Sequence, residues 1–319
     1  MEKIELPASV RMAAFTRYAW ATLFYNVIVI LWGVFLRASK SGDGCGRHWL
    51  TCQGEVIPSA PELKALIEYS HRITSFFSLV SVVVLVIWAF RRFGKGDRVR
   101  RSAVGALIFV VTEALVGAGL VLTGNTAETL TNARPFWMAG HLLNTFILLG
   151  FLTSTAWFAK NGRTVNLLRP GKYAAMLAAI ALGITVIGMA GSLTALSEML
   201  FPAESLLHGI DQDLSSASHI LVRLRLLHPI LSVVISVFVI FAAGWLARES
   251  GRDRSTVRWS NAITGLLIFQ IFFGGATLLT LAPIVMQVGH LLIADLIWVS
   301  CVLLALSFYA APATEAGGG

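Results

Sequence analysis

Apolar runs of about 20 residues recur along the whole chain, and no other feature limits the fold as strongly. A helix of that length spans the hydrocarbon core of a bilayer. Backbone that crosses lipid must satisfy its own hydrogen bonds, as a helix does. Eight such runs, at about 16–36, 65–90, 102–123, 135–159, 172–195, 222–247, 259–280 and 285–308, predict an all-α polytopic membrane protein. Composition agrees, with 56% of the 319 residues hydrophobic, 13% charged and a mean hydropathy of +0.75. A soluble helical protein of that composition would lack the polar surface to stay dispersed. Met1–Arg17 is polar and leads into a full-length apolar run, which argues against a cleavable signal peptide. The tail Ala310–Gly319 reads as disordered.

A net charge of +8 raises nucleic acid as a partner, but the distribution of that charge excludes it. With the N-terminus placed in the cytoplasm, 17 of the 25 lysines and arginines fall on the cytoplasmic side. They cluster before the first span and in 91–101, 160–172 and 248–258. The bias predicts both termini inside, in a cell (inner) membrane.

Glu68-Tyr69-Ser70-His71-Arg72 places three ionisable side chains at the start of the second run, where charge is costly and marks a cofactor or a pathway. Glu68 and His71, three apart, share a helix face. His141, His228 and His290 stand at similar points of three other runs, so four imidazoles lie roughly 5–10 Å below the outer interface. Gly140-His141-Leu142-Leu143 matches Gly289-His290-Leu291-Leu292. His71 and His228 are 157 residues apart, as are Glu113 and Gln270, while His141 and His290 are 149 apart. These offsets predict a duplicated four-helix unit, with an N-terminal half at 1–160 and a C-terminal half at 161–319. Facing helices of a bundle can offer imidazoles to both faces of a haem. Haem suits these pairs better than copper or zinc, because no other metal-like side chains surround them and apolar helices suit a porphyrin. The simplest arrangement pairs His71 with His141 and His228 with His290.

The first outer loop carries Cys45 and Cys52. On an oxidising side they are predicted to form a disulfide, either a staple or redox-active. A zinc site using His48 is the rival, with poor spacing for it. Arg72 and Arg225 lie beside the histidines and are candidates for pairing with cofactor carboxylates, or for snorkelling to headgroups. On the residues alone, a di-haem b-type cytochrome for electron transfer, a haem transporter or chaperone, and a haem-modifying enzyme all stand.

The motif at 68–72, Gly44-Cys45-Gly46 with Trp49 and Cys52, Arg223-Leu224-Arg225-Leu226-Leu227-His228-Pro229, and Gly289 through Leu296 resemble the haem A synthase family over about 16–308. Two positions depart from the family pattern. Trp49-Leu50-Thr51-Cys52 stands where Trp-Pro-Leu-Cys is usual, and Glu113 stands where glutamine is common. The resemblance implies oxidation of a haem O methyl group to a formyl group through hydroxylated intermediates, the new oxygen coming from water. It implies that His228 and His290 ligate a resident haem b and that His71 and His141 face the substrate haem O. Glu68 would be the catalytic carboxylate, stabilising positive charge on the oxidised carbon or taking a proton from water. A carboxylate merely favoured by the helix dipole, worth under ~1 kcal/mol, is the plainer reading of Glu68. The implied partners are haem O, the lipid bilayer, haem O synthase and an electron donor, with a homo-oligomer also allowed.

Overall fold

A computed structural model of the chain describes residues 8–310 apart from 127–128, 163–164 and 166–170. The tail beyond Ala310, expected to be disordered, lies outside the described residues. Ten α-helices occur in order among the described residues: α1 (Ala8–Ala38), α2 (Leu63–Arg92), α3 (Arg98–Leu122), α4 (Arg134–Asn161), α5 (Gly171–Leu200), α6 (Leu206–Leu214), α7 (Ile220–Arg223), α8 (Leu227–Glu249), α9 (Arg254–Leu279) and α10 (Ile284–Ala310). Eight segments are long and apolar enough to cross a membrane, α7 and α8 together forming the sixth, Ile220–Glu249. The chain is a multi-pass helical membrane protein.

The short connections follow from local chemistry. After the basic end of α2 at Arg91 and Arg92, the Asp97 carboxylate accepts the Val99 N–H and caps α3. After Arg248, Asp253 accepts the N–H groups of Ser255 and Thr256 and caps α9 in the same way. Gly162, at φ +56°, ends α4 in the left-handed conformation that a residue without a β-carbon adopts at little cost.

Two features depart from the sequence expectation. The sixth span is broken: a 3₁₀ turn at Leu224–Leu226 separates α7 from α8, so His228 is the second residue of a new helix. The loop between the fifth and sixth spans also folds a helix of its own, α6, capped by the Ser205 hydroxyl accepting the His208 N–H.

Helix contacts close two rings, α1–α2–α3–α4 and α5–α8–α9–α10, which meet where α4 touches α5 and α10 and where α1 touches α10. Inside the first ring Phe15, Leu85, Leu149 and Leu152 pack with small residues such as Ala19, Ala103 and Ala106, which let the backbones approach. Inside the second, Ile180, Val239, Ile263, Ile297 and Phe308 do the same. At the seam the Trp298 and Phe146 rings stack at 4.9 Å, and the indole N–H donates to the Phe146 carbonyl. The polarity of the bundle is that of a lipid-facing protein. Phe24, Phe241 and Phe272 are more than two-thirds exposed on the outside, whereas Asn26 and Ser78 are buried and hydrogen-bonded at 2.7 Å.

Candidate functional site

The four histidines lie at matched depth. His71, His141, His228 and His290 fall seven to nine residues into their membrane-crossing segments, all counted from the end that bears the cysteine loop. His71 and His141 are close enough to interact electrostatically, and so are His228 and His290. The His228 and His290 ring centroids are 6.2 Å apart. Two imidazoles sharing one metal ion, at the roughly 2 Å typical of a metal–imidazole bond, place their ring centres about 6 Å apart. The second pair therefore fits a shared iron.

Glycines seat three of the four rings. A β-carbon at Gly33 on α1 would lie 3.1 Å from His71 Cε1, one at Gly191 on α5 would lie 2.9 Å from His228 Cε1, and one at Gly274 on α9 would lie 2.9 Å from His290 Cε1. Each imidazole is thus pressed against the backbone of the neighbouring helix, which restricts its rotation. His141 is held differently. Its Nδ1 lies 3.3 Å from Glu113 Oε1, and the Glu113 carboxylate also accepts from the Thr145 hydroxyl and the Asn144 amide. In the second ring Gln270, 157 residues after Glu113, donates to the His290 carbonyl at 3.0 Å.

Glu68 is buried, and its carboxylate is held from two sides. Oε2 accepts the Cys45 N–H at 2.8 Å, and Oε1 accepts from the Arg72 guanidinium. Arg72 Nη1 then donates to the carbonyls of His48, Trp49 and Thr51 at 2.6, 3.0 and 2.9 Å. Cys45 and Cys52 are bonded to each other, so their thiolates are not free to ligand zinc. The disulfide loop, Arg72 and Glu68 form one unit folded over the entrance of α2.

That unit supports a stability prediction. The Cys45→Ser/Cys52→Ser variant is expected to lose ~2 kcal/mol, the chain-entropy value for so short a loop. Thermal unfolding in detergent with and without reductant would check it. A staple gives the same loss by mutation and by reduction, whereas unchanged stability in both would remove the structural role.

Arg225, 5% exposed, is equally engaged. It donates to Glu198 Oε1 at 2.8 Å, lies 3.2 Å from Asp213, and reaches the Gln212 side chain and the Phe201 carbonyl. On α6, burial pushes the Asp213 carboxyl above its ordinary range against the pull of Arg225. This network ties α6 and the 3₁₀ turn to the end of α5.

Sequence reasoning passed over three further groups, Asp295 and Arg134 buried and Arg37 half-buried. Asp295, five residues after His290, is fully buried, with neither carboxylate oxygen hydrogen-bonded. It carries the same signal as Glu113, an acid within an apolar run. Arg37 and Arg134 sit at span ends, where a basic residue ordinarily reads as an interfacial anchor.

Fold and site together define a polytopic membrane protein that carries paired imidazoles inside its helical bundle, at one depth. The chain belongs to the COX15-CtaA family of cytochrome oxidase assembly proteins, whose family model matches residues 16–302. It is 42% identical over 304 residues to a protein named protoheme IX farnesyltransferase from Thermus thermophilus, covering 95% of this chain and 49% of that one. It is 38% identical over 123 residues to the heme A synthase of Halalkalibacterium halodurans, covering 39% of this chain and 41% of that protein. The corresponding match to the heme A synthase of Alkalihalophilus pseudofirmus is 34% over 135 residues, or 42% and 45% of the two chains. The matched region spans about half the length, or less, of these curated relatives.

Proposed function

We propose that this protein is a haem A synthase, oxidising a methyl group of haem O to a formyl group for cytochrome oxidase. The observation that carries the reading is the asymmetry between two otherwise similar histidine pairs. Counting 157 residues from Glu68, the offset of His71 and His228, reaches Arg225. Both side chains are buried at the same end of the bundle. The first pair is thus flanked by a buried carboxylate that Arg72 pairs, and the second, at the matching offset, by a buried guanidinium that Glu198 and Asp213 pair. A duplicated electron-transfer protein has no need of that reversal. An enzyme with one reacting haem and one resident haem does.

In this reading His228 and His290 hold haem b, which supplies one-electron chemistry when bound. His71 and His141 hold the substrate haem O in the N-terminal half, and the sites face the outer side with both termini cytoplasmic. Glu68, one turn from His71 or ~4.5 Å along the axis, is aligned by the Cys45 N–H and Arg72. There it stabilises positive charge on the reacting carbon or accepts a proton from water; the full change, R–CH3 + H2O → R–CHO + 4 H+ + 4 e−, passes through hydroxylated species and requires an external oxidant to take the four electrons. Glu113 orients His141 as a carboxylate partner orients a ligating imidazole. An electron donor and a haem O synthase complete the set of partners. Support for the latter is that this chain aligns over almost its full length with about half of a protein named for protohaem farnesylation.

The deciding experiment is extraction of the porphyrins from protein made in cells that supply haem O, followed by mass spectrometry. Formylated or hydroxylated porphyrin is expected. Unmodified haem alone would leave a di-haem cytochrome or a haem carrier.

The glycine seats give a second test. Gly191→Ala and Gly274→Ala are each expected to displace their histidine, broaden or shift the low-spin haem b spectrum and destabilise the loaded protein by about 1–3 kcal/mol, the usual cost of overpacking. Gly265→Ala, where a β-carbon meets open space, is the control and should change neither.

A further inference from the structure

Two arginines near the seam of the bundle, Arg134 buried and Arg37 half-buried, lack the anionic partners that Arg72 and Arg225 have. Arg134, the first residue of α4, is 2% exposed. Its guanidinium donates to the Thr129 carbonyl and approaches Met199 Sδ at 3.9 Å. Arg37, in the last turn of α1, donates from Nη2 to Gln287 Oε1 at 3.2 Å. The Nε atoms of both are buried without a hydrogen-bond partner. Among the described residues neither guanidinium forms an ion pair with a carboxylate, and the two lie close enough to repel each other.

Like charges largely withdrawn from water, facing only neutral groups, are a poor arrangement for a chain folded on its own. They suit a ligand that brings negative charge. A guanidinium fork matches a carboxylate through two parallel hydrogen bonds, and two adjacent forks match a dicarboxylate. The position identifies that ligand. Gln287, which Arg37 touches, precedes His290 by one helical turn, and Arg134 precedes His141 by two turns. Both arginines therefore lie between the histidine level and the end bearing the cysteine loop. A porphyrin with its iron at the histidine level turns its charged edge toward that end, because carboxylates are costly deeper in the membrane.

We propose that Arg37 and Arg134 bind the propionate carboxylates of a haem. This rests on the haem-binding reading above and names a recognition element distinct from the axial ligands. Arg72 and Arg225, the candidates that sequence alone suggested, are instead occupied by protein groups.

The test compares haem b with its dimethyl ester, which keeps the ring and iron but lacks both carboxylates. Haem-depleted full-length protein in detergent is titrated with each, followed by Soret absorbance. Wild type is expected to bind the diacid roughly tenfold or more tightly than the ester, the scale of a charge-assisted hydrogen bond. Arg37→Gln and Arg134→Gln should each reduce that preference by lowering diacid affinity alone, and Arg134→Lys should retain part of it. Repeating the titration in His71→Ala/His141→Ala and His228→Ala/His290→Ala backgrounds assigns the site. The preference disappears with whichever haem the arginines serve, and either result supports the proposal. Equal affinities for diacid and ester in wild type would overturn it without any variant having to fold. An undiminished preference in Arg37→Gln and Arg134→Gln would also overturn it. Failure of wild type to bind either porphyrin is a different outcome, one that refutes the haem reading itself along with this proposal.

Discussion

Replacing Glu68 with glutamine is expected to lower formyl product at least ~100-fold, the usual contribution of a positioned base or electrostatic group, while haem content stays at the wild-type level. Haem retention follows from the four histidines being untouched. The substitution keeps the shape and one acceptor oxygen, so the Cys45 N–H can remain bonded. It removes the negative charge that Arg72 neutralises. A purely structural Glu68 and a catalytic one therefore diverge in a second variant. If Glu68 only anchors the cysteine loop through Arg72, then Arg72→Gln, which keeps the carboxylate but gives up the bonds to the His48, Trp49 and Thr51 carbonyls, should lower turnover as far as Glu68→Gln does. If the carboxylate acts on substrate, Arg72→Gln keeps far more turnover per folded molecule than Glu68→Gln, whatever it costs in stability. Mass spectrometry of the extracted porphyrins would locate the block. Accumulated haem O places it at the first oxidation, and hydroxylated haem places it at the second. Near-normal haem A without a charge at position 68 would sink the catalytic role.

The second large effect is expected at the other pair. His228→Ala/His290→Ala should abolish the low-spin bis-imidazole spectrum of haem b and leave the N-terminal half able to take up porphyrin. The 6.2 Å ring separation is what makes the result decisive. Neither α8 nor α10 carries a second histidine, so neither helix offers a substitute imidazole. Each single replacement should leave a five-coordinate, high-spin haem or none, readable by optical and electron paramagnetic resonance spectra. A double variant with full haem b content would show that the resident haem sits elsewhere.

The arginines show where sequence reading stops. From sequence, Arg72 and Arg225 are the candidates for cofactor carboxylates because they stand beside histidines. In the folded chain Arg72 spans loop carbonyls and Glu68, while Arg225 gathers Glu198 and Asp213 from α5 and α6. Arg37 and Arg134 look like anchors at span ends, yet the fold turns the guanidinium Nε of both away from solvent and gives neither a carboxylate. An arginine reaches about as far as the spacing between packed helices. Its partner therefore depends on which helices lie beside it and how they are rotated, and no linear spacing encodes that.

Other features were open to reading for the opposite reason. Partition into lipid depends on the summed hydrophobicity of a contiguous stretch, a property of the linear chain, and so the eight spans could be counted before any fold was known. The shared depth of His71, His141, His228 and His290 follows from their distances to the span ends at ~1.5 Å per residue. The pairing of Cys45 with Cys52 needed only a short loop. Packing decided the rest. The break at Leu224–Leu226, the helix α6 with its acidic cluster, the glycine seats under three imidazoles and the Glu113 contact to His141 all depend on one helix face meeting another. Helix rotation and crossing in lipid are set by close side-chain contacts between segments far apart in the chain, because the hydrophobic effect that drives helices into the bilayer does not choose among their faces.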